Sequence, residues 1–188
     1  MKCYKMIYDF ENDDDNVIVR SDSFLDYYHY NILDGECIND WNKNTKLCYS
    51  EDEGNVFTDY LAMDKGWILV SNKFYNIMHE IIDDSVQFLN IMIEDKKTGN
   101  ENSSYRVLNV TKHLNALDFD NSVYDIFEVE DEKIISVEKY ALKKNLVENN
   151  NIFKLENEPI PVFVSEKFKQ IVEENRLTGF YFSEVKVV

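Results

Sequence analysis

Three histidines, three cysteines and a large excess of carboxylates are the side chains in this 188-residue chain that could do chemistry. A transition-metal site needs His and Cys at spacings that a short loop or one helical turn can fold around an ion. His29, His79 and His113 form no HxH, HExxH or HxxxH pattern, and Cys3, Cys37 and Cys48 contain no CxxC pair. The cysteines therefore read as reduced, small apolar residues rather than a disulfide framework. A thiol working with His113 lacks the flanking signature of a cysteine nucleophile. Ser71 and Ser165 lie in no GxSxG elbow, and each stands where a hydroxyl can cap a following helix. Asp13-Asp14-Asp15-Asn16 has calcium-ligand residue types without the alternating Asp-x-Asp-x-Asp-Gly spacing or the distal Glu. The five glycines are isolated, so no loop is built to cradle a phosphate. No cofactor, no metal and no catalytic residue is expected.

What remains is surface. The formal charge is −16, from 36 acidic and 20 basic residues, a field that repels phosphate backbones and speeds encounter with a basic partner. The acids cluster at Asp13 to Asp15, Glu51 to Glu53 and Glu128 to Glu132. Tyr27, Tyr28, Tyr30 and Trp41 lie in or beside polar stretches, where aromatic anchors and steering charge combine in protein-binding faces. The candidate partner-binding residues are Asp13, Asp14, Asp15, Trp41, Glu51, Asp52 and Glu53. The aromatics fit the core of an aromatic-rich fold equally well.

These side chains need elements to hold them. A hydrophobic fraction of 44%, with twelve Tyr and twelve Phe, supplies a substantial interior. Tyr4 to Phe10 reads as a strand, with Val17 to Val19 as its return strand in a hairpin. Phe24 to Tyr30 fits a short helix or a strand, and residues 39–55 a long loop with one strand near Leu47 to Tyr49. Trp67 to Val70 is a strand, after which Phe74, Ile77, Met78, Ile81 and Ile82 recur at helical spacing. Val86 to Ile93, Tyr105 to Val110, Val123 to Phe127, Ile134 to Val137 and Ile152 to Leu155 read as extended, with a polar loop from Lys96 to Ser104. Ile160 to Val164 is a strand, Phe168, Ile171 and Val172 one helical face, and Phe180 to Val187 the last strand. Gly179, after a helix end near Arg176-Leu177, permits a left-handed turn. The N-terminus lacks the apolar run of a signal peptide, and no stretch approaches the roughly 20 apolar residues of a membrane helix, which makes the cytoplasm the default location.

Two segments echo one another. Val70-Ser71-Asn72-Lys73-Phe74 aligns with Val164-Ser165-Glu166-Lys167-Phe168, and in the same frame Ile77 aligns with Ile171, Glu80 with Glu174 and Phe88 with Phe182. The predicted fold class is α+β: a mainly antiparallel sheet with two strand–helix–strand units that read as a duplicated motif. Residues 1–66 form a β-rich, loop-rich part and residues 67–188 a second part, packed as one structural unit.

Tyr105-Arg106-Val107-Leu108-Asn109-Val110, followed by Ala116-Leu117-Asp118 and Ser122, resembles the central signature of immunity-protein family eleven of bacterial polymorphic-toxin systems. Ile152 to Leu155, Val164 to Lys169 and Leu177-Thr178-Gly179-Phe180-Tyr181-Phe182 are similar to its closing signature. The resemblance spans the C-terminal two-thirds, from Trp67 onward. It implies a cytoplasmic protein, encoded beside a toxin, that binds the toxin and blocks it, and it carries no catalytic residues. Gly179 then belongs to a backbone turn and Phe180 to the core, while Asn109 either faces solvent or satisfies buried backbone. The expected function is stoichiometric neutralisation of a basic cognate toxin, with no nucleic-acid or membrane partner. The alternatives are a small enzyme in which His113 meets a carboxylate, or a self-associating scaffold.

Overall fold

The computed structural model describes residues 1–12, 15–21, 26–50, 52, 54–82, 85–129 and 132–188. The N-terminal half runs through strands β1 (Cys3–Tyr8) and β2 (Ile18–Ser21), helix α1 (Asp26–Asp34), and strands β3 (Lys46–Tyr49), β4 (Tyr60–Met63) and β5 (Leu69–Ser71). Helix α2 (Asn72–Met78) then leads to β6 (Val86–Asn90), β7 (Met92–Asp95), β8 (Glu101–Asn102) and β9 (Tyr105–Val110). After β10 (His113–Leu114) come β11 (Val123–Val129), β12 (Glu132–Lys139), β13 (Ala141–Leu142) and helix α3 (Lys144–Val147). Strands β14 (Ile152–Leu155) and β15 (Glu158–Ser165), helix α4 (Glu166–Glu174) and β16 (Phe180–Val187) complete the chain.

The protein is mainly β, with short helices set against mixed sheets. One sheet has six strands in the order β10-β14-β15-β1-β16-β13, the other eight in the order β6-β9-β5-β4-β2-β3-β7-β8. Most pairings are antiparallel, but β2–β4, β3–β7, β10–β14 and β13–β16 run parallel. Antiparallel pairing predominates as expected, in sheets that are mixed.

Alternation along the strands sorts the interior into layers, because successive side chains leave opposite faces. On β9, Tyr105 and Val107 enter one buried cluster with Leu47, Leu61 and Trp67, while Leu108 and Val110 enter another. That second cluster lies between the sheets, joining Tyr4 and Met6 of β1, Val162 and Val164 of β15, Phe74 and Met78 of α2 and Phe168 and Val172 of α4. Phe163 points to the far face of the six-stranded sheet, into a third cluster with Cys3, Leu117, Phe153 and Leu155.

Both helices that enter the middle cluster begin as expected. Ser71 and Ser165 have extended backbone, and their Oγ atoms accept from Phe74 N at 3.1 Å and Phe168 N at 3.2 Å. These bonds satisfy amide groups that the first helical turn leaves open. Helix α4 stops differently. Arg176 takes the left-handed conformation (φ 51°), and Leu177 N donates back to Val172 O at 3.0 Å. Gly179 (φ 84°) turns the chain afterwards, where an added Cβ would collide with the Tyr60 carbonyl oxygen.

Three further readings are revised. Strands β1 and β2 are not a hairpin: β1 lies between β15 and β16, and β2 between β3 and β4 in the other sheet. Val86 to Ile93 is two strands, broken at Ile91, since β6 pairs with β9 and β7 with β3 and β8. The Lys96 to Ser104 stretch contains the short strand β8.

Candidate partner-binding surface

Backbone bonds join the end of the first acidic cluster to the segment that follows the second. The Asp15 carbonyl accepts from Asn55 N at 2.9 Å and Val56 N at 2.8 Å, and Val17 N donates to Val56 O at 2.9 Å. Gly54 (φ 131°) lies against the Asn16 carbonyl, leaving no space for a Cβ, so this crossing requires glycine. Asp15 and Asp52 are exposed beside the crossing; Asp13, Asp14, Glu51 and Glu53 lie outside the described residues. Val56 and Phe57 follow at 47% and 37% exposure, with the Phe57 ring 5.1 Å from Tyr49 and 6.0 Å from Tyr105. Acid and part-exposed apolar surface therefore adjoin here.

Trp41 serves a different place. Its ring is 5.0 Å from Tyr28 and 6.0 Å from Trp67, and Nε1 donates to Asn90 O at 2.8 Å. The indole is partly buried and its polar atom is taken by backbone, so it packs against the first core cluster. Tyr30, on α1, is 70% exposed, and the Tyr27 side chain lies outside the described residues.

Several of the side chains that could do chemistry hold the fold together. The Ser71 hydroxyl donates to Asp59 Oδ1 at 2.6 Å, and that of Ser165 to Asn151 Oδ1 at 3.0 Å, beside their capping bonds. The ring nitrogens of His113 lie 3.1 Å from Thr111 O and 2.7 Å from Asp34 O, carbonyl oxygens where a catalytic pair would need a carboxylate. Lys154, 3% exposed, donates from Nζ to Leu33 O at 2.5 Å and Pro159 O at 2.7 Å, joining the end of α1 to β15. Burial lowers its pKa to about 8, against a smaller opposing pull from Asp34. Burial likewise pushes the Cys3 thiol up to about 11, away from the reactive thiolate. The three cysteines are free. Among the described residues, no group of three or more His, Cys, Asp or Glu is placed to hold a metal ion. A cleft of about 290 Å³ beside Lys154 is lined mostly by apolar groups, including Phe10, Ile32, Trp67 and Ile160.

The most distinctive surface element shows in the sequence only as two extended pieces. Among the described residues, strands β11 and β12 pair only with each other, as a two-stranded ribbon. Its base is fixed: Tyr124 packs edge-on against Phe119 at 5.2 Å, Val137 packs on the third cluster, and the Tyr140 hydroxyl donates to Glu158 at 2.7 Å. Directly opposed residues share a face, so Tyr124/Val137 and Ile126/Ile135 line one side and Asp125/Ser136 and Phe127/Ile134 the other. Beyond the base, Ile126, Phe127 and Ile134 are 56%, 53% and 49% exposed. Apolar types on both strand parities, flanked by acids, were the available signal.

The described surface thus combines exposed acids such as Asp15 and Asp52 with part-exposed apolar groups such as Phe57 and Phe127. The family model described as Immunity protein family (Imm11) matches residues 2–187, and the chain belongs to that family. The match extends the likeness seen from Trp67 onward through the N-terminal part as well. Its function is toxin neutralisation, with a cognate toxin as partner. A search of the curated proteins found no match.

Proposed function

We propose that the protein neutralises its toxin stoichiometrically and without turnover, in the cytoplasm, by presenting its anionic surface to a basic toxin. The observation that carries this reading is the engagement of Ser71, Ser165, His113 and Lys154 in bonds that cap helices or tie backbone segments together. A group spent on holding the fold is poorly placed to enter a reaction. The charge of −16 supports a basic toxin and argues against a nucleic-acid partner. On this reading Asp15, Asp52 and their acidic neighbours steer the approach, and part-exposed apolar groups such as Phe57 anchor it.

The same reading treats residues 1–66 and 67–188 as one structural unit, which Tyr4 and Met6 support by sharing a core cluster with Phe74 and Phe168. It treats the strand–helix–strand segments around Ser71 and Ser165 as two copies of one motif.

The test is co-expression with the product of the adjacent gene, followed by titration of the purified proteins. Rescued growth and inhibition that ends at one immunity protein per toxin are expected. Inactivation of a large molar excess of toxin would replace binding with catalysis.

A further inference from the structure

We infer that the outer part of the β11–β12 ribbon is an arm received by a cationic, apolar-walled groove of the toxin, with Ile126 and Ile135 against one wall and Phe127 and Ile134 against the other. The inference rests on the toxin-binding reading and names the part of the surface that enters the partner.

A two-stranded ribbon by itself is marginal in water and gains stability from packing one face on something else. Here Tyr124 and Val137 supply that packing at the base. One pair further out on the same face, Ile126 is 56% exposed, so the ribbon has left the body. An antiparallel sheet with one solvated side places polar residues there. This ribbon instead sets Phe127 directly opposite Ile134 on the second face, at 53% and 49% exposure. Both faces are apolar over one length, as befits an element covered from two sides.

Charge selects the occupant. From Asp125 to Ile134 the chain carries five carboxylates, at 125, 128, 130, 131 and 132, against one base, Lys133. A second copy of the arm would set this excess of negative charge against itself, and like charges across strands are destabilising. A groove lined by Lys or Arg with an apolar floor accepts the carboxylates and the four apolar side chains together.

The full-length chain is tested against the adjacent-gene toxin by growth rescue, by association and dissociation rates at low and high salt, and by sedimentation. One variant is Phe127→Ser with Ile134→Ser; a second is Asp125→Lys with Glu128→Lys. All four side chains are exposed, and unchanged circular dichroism confirms folding. The apolar variant is expected to dissociate at least about thirty-fold faster, as for loss of central anchors. The charge variant is expected to associate about ten-fold more slowly at low salt, with the difference shrinking at high salt. If the apolar change unfolds the ribbon, the charge variant still decides. Wild-type neutralisation matched by both variants would overturn the arm and leave the neutraliser intact. A wild type that neither binds nor rescues would remove both. A dimer lost in the apolar variant, with toxin binding kept, would assign the arm to self-association and overturn the inference.

Discussion

The rings of Phe74 and Phe168 lie 6.1 Å apart at a 54° tilt, so the residues that follow the two serine caps at equivalent positions meet in the middle of the molecule. Both are fully buried, and Phe180 stacks on Phe74 at 5.4 Å. The two capped helices therefore share a core instead of each serving its own sheet. Phe74→Ala and Phe168→Ala are each expected to cost about 3–5 kcal/mol in urea unfolding, through lost transfer energy and a residual cavity. Because the rings touch, the double variant should depart from additivity by about 0.5–1.5 kcal/mol. Strict additivity would mean the helices are energetically separate.

The features legible in sequence are those that depend on near neighbours. Ser71 and Ser165 identify themselves as caps because the apolar helical face begins three residues later, and Tyr105 to Val110 because its residue types suit a strand buried on both sides. Pairing is another matter. Nothing within Tyr4 to Val19 tells β1 that its partners are β15 and β16, more than 150 residues away, so the nearby segment containing β2 is mistaken for its hairpin mate. Ile91 breaks an apolar run without a Gly or Pro to mark it. Asn109 shows the same limit: it is fully buried, and its Nδ2 donates to Glu36 O at 2.7 Å and Gln87 Oε1 at 3.1 Å. Its amide thus serves a backbone carbonyl and the residue opposite it on β6 instead of facing solvent. Of the candidate site, the crossing of Asp15 with Asn55 and Val56 required the fold, and so did the packing of the partly buried Trp41 against Tyr28 and Trp67.

The end of α4 contains strain that substitution can relieve. Arg176 occupies the left-handed region that a β-carbon disfavours, at the position where helices commonly place glycine. Arg176→Gly should raise stability by about 0.5–1 kcal/mol in chemical denaturation. Gly179→Ala should lower it by more than about 2 kcal/mol, since positive φ is combined with a collision against the Tyr60 carbonyl. Equal effects of the two changes would refute this assignment of the turn.

Lys154 gives the protein a specific alkaline signature. Its folded pKa of about 8 lies below the ordinary value of 10.5, so between these limits the unfolded chain retains a proton that the folded chain has released. Stability from this group therefore rises with pH over that window and is constant below it. Cys3 acts oppositely: burial raises the thiol from 9.0 to about 11, and its contribution falls as pH climbs through that range. Comparison with Lys154→Met cancels the Cys3 effect. The wild type should gain on the variant by roughly 2–3 kcal/mol between pH 7 and 11, in parallel denaturation curves. A difference independent of pH would show that the buried amine stays charged throughout.

The acidic crossing at Asp15 and Asn55 should govern how fast the complex forms, in contrast to the ribbon's apolar pair, which should govern how long it lasts. Asp52 is exposed, so Asp52→Lys alone should leave the unfolding midpoint nearly unchanged, and it serves as the folding check for the replacement of Glu51, Asp52 and Glu53 together by Lys. Reversing three charges on the approach face should slow association by roughly ten-fold or more at low ionic strength, with little change in dissociation. Added salt should shrink the difference as the Debye length falls below about 10 Å. Glu174→Lys, on the exposed side of α4, serves as the control for charge alone. If the triple reversal slows association no more per charge than this control, or leaves it unchanged, the cluster from Glu51 to Glu53 has no place on the approach face.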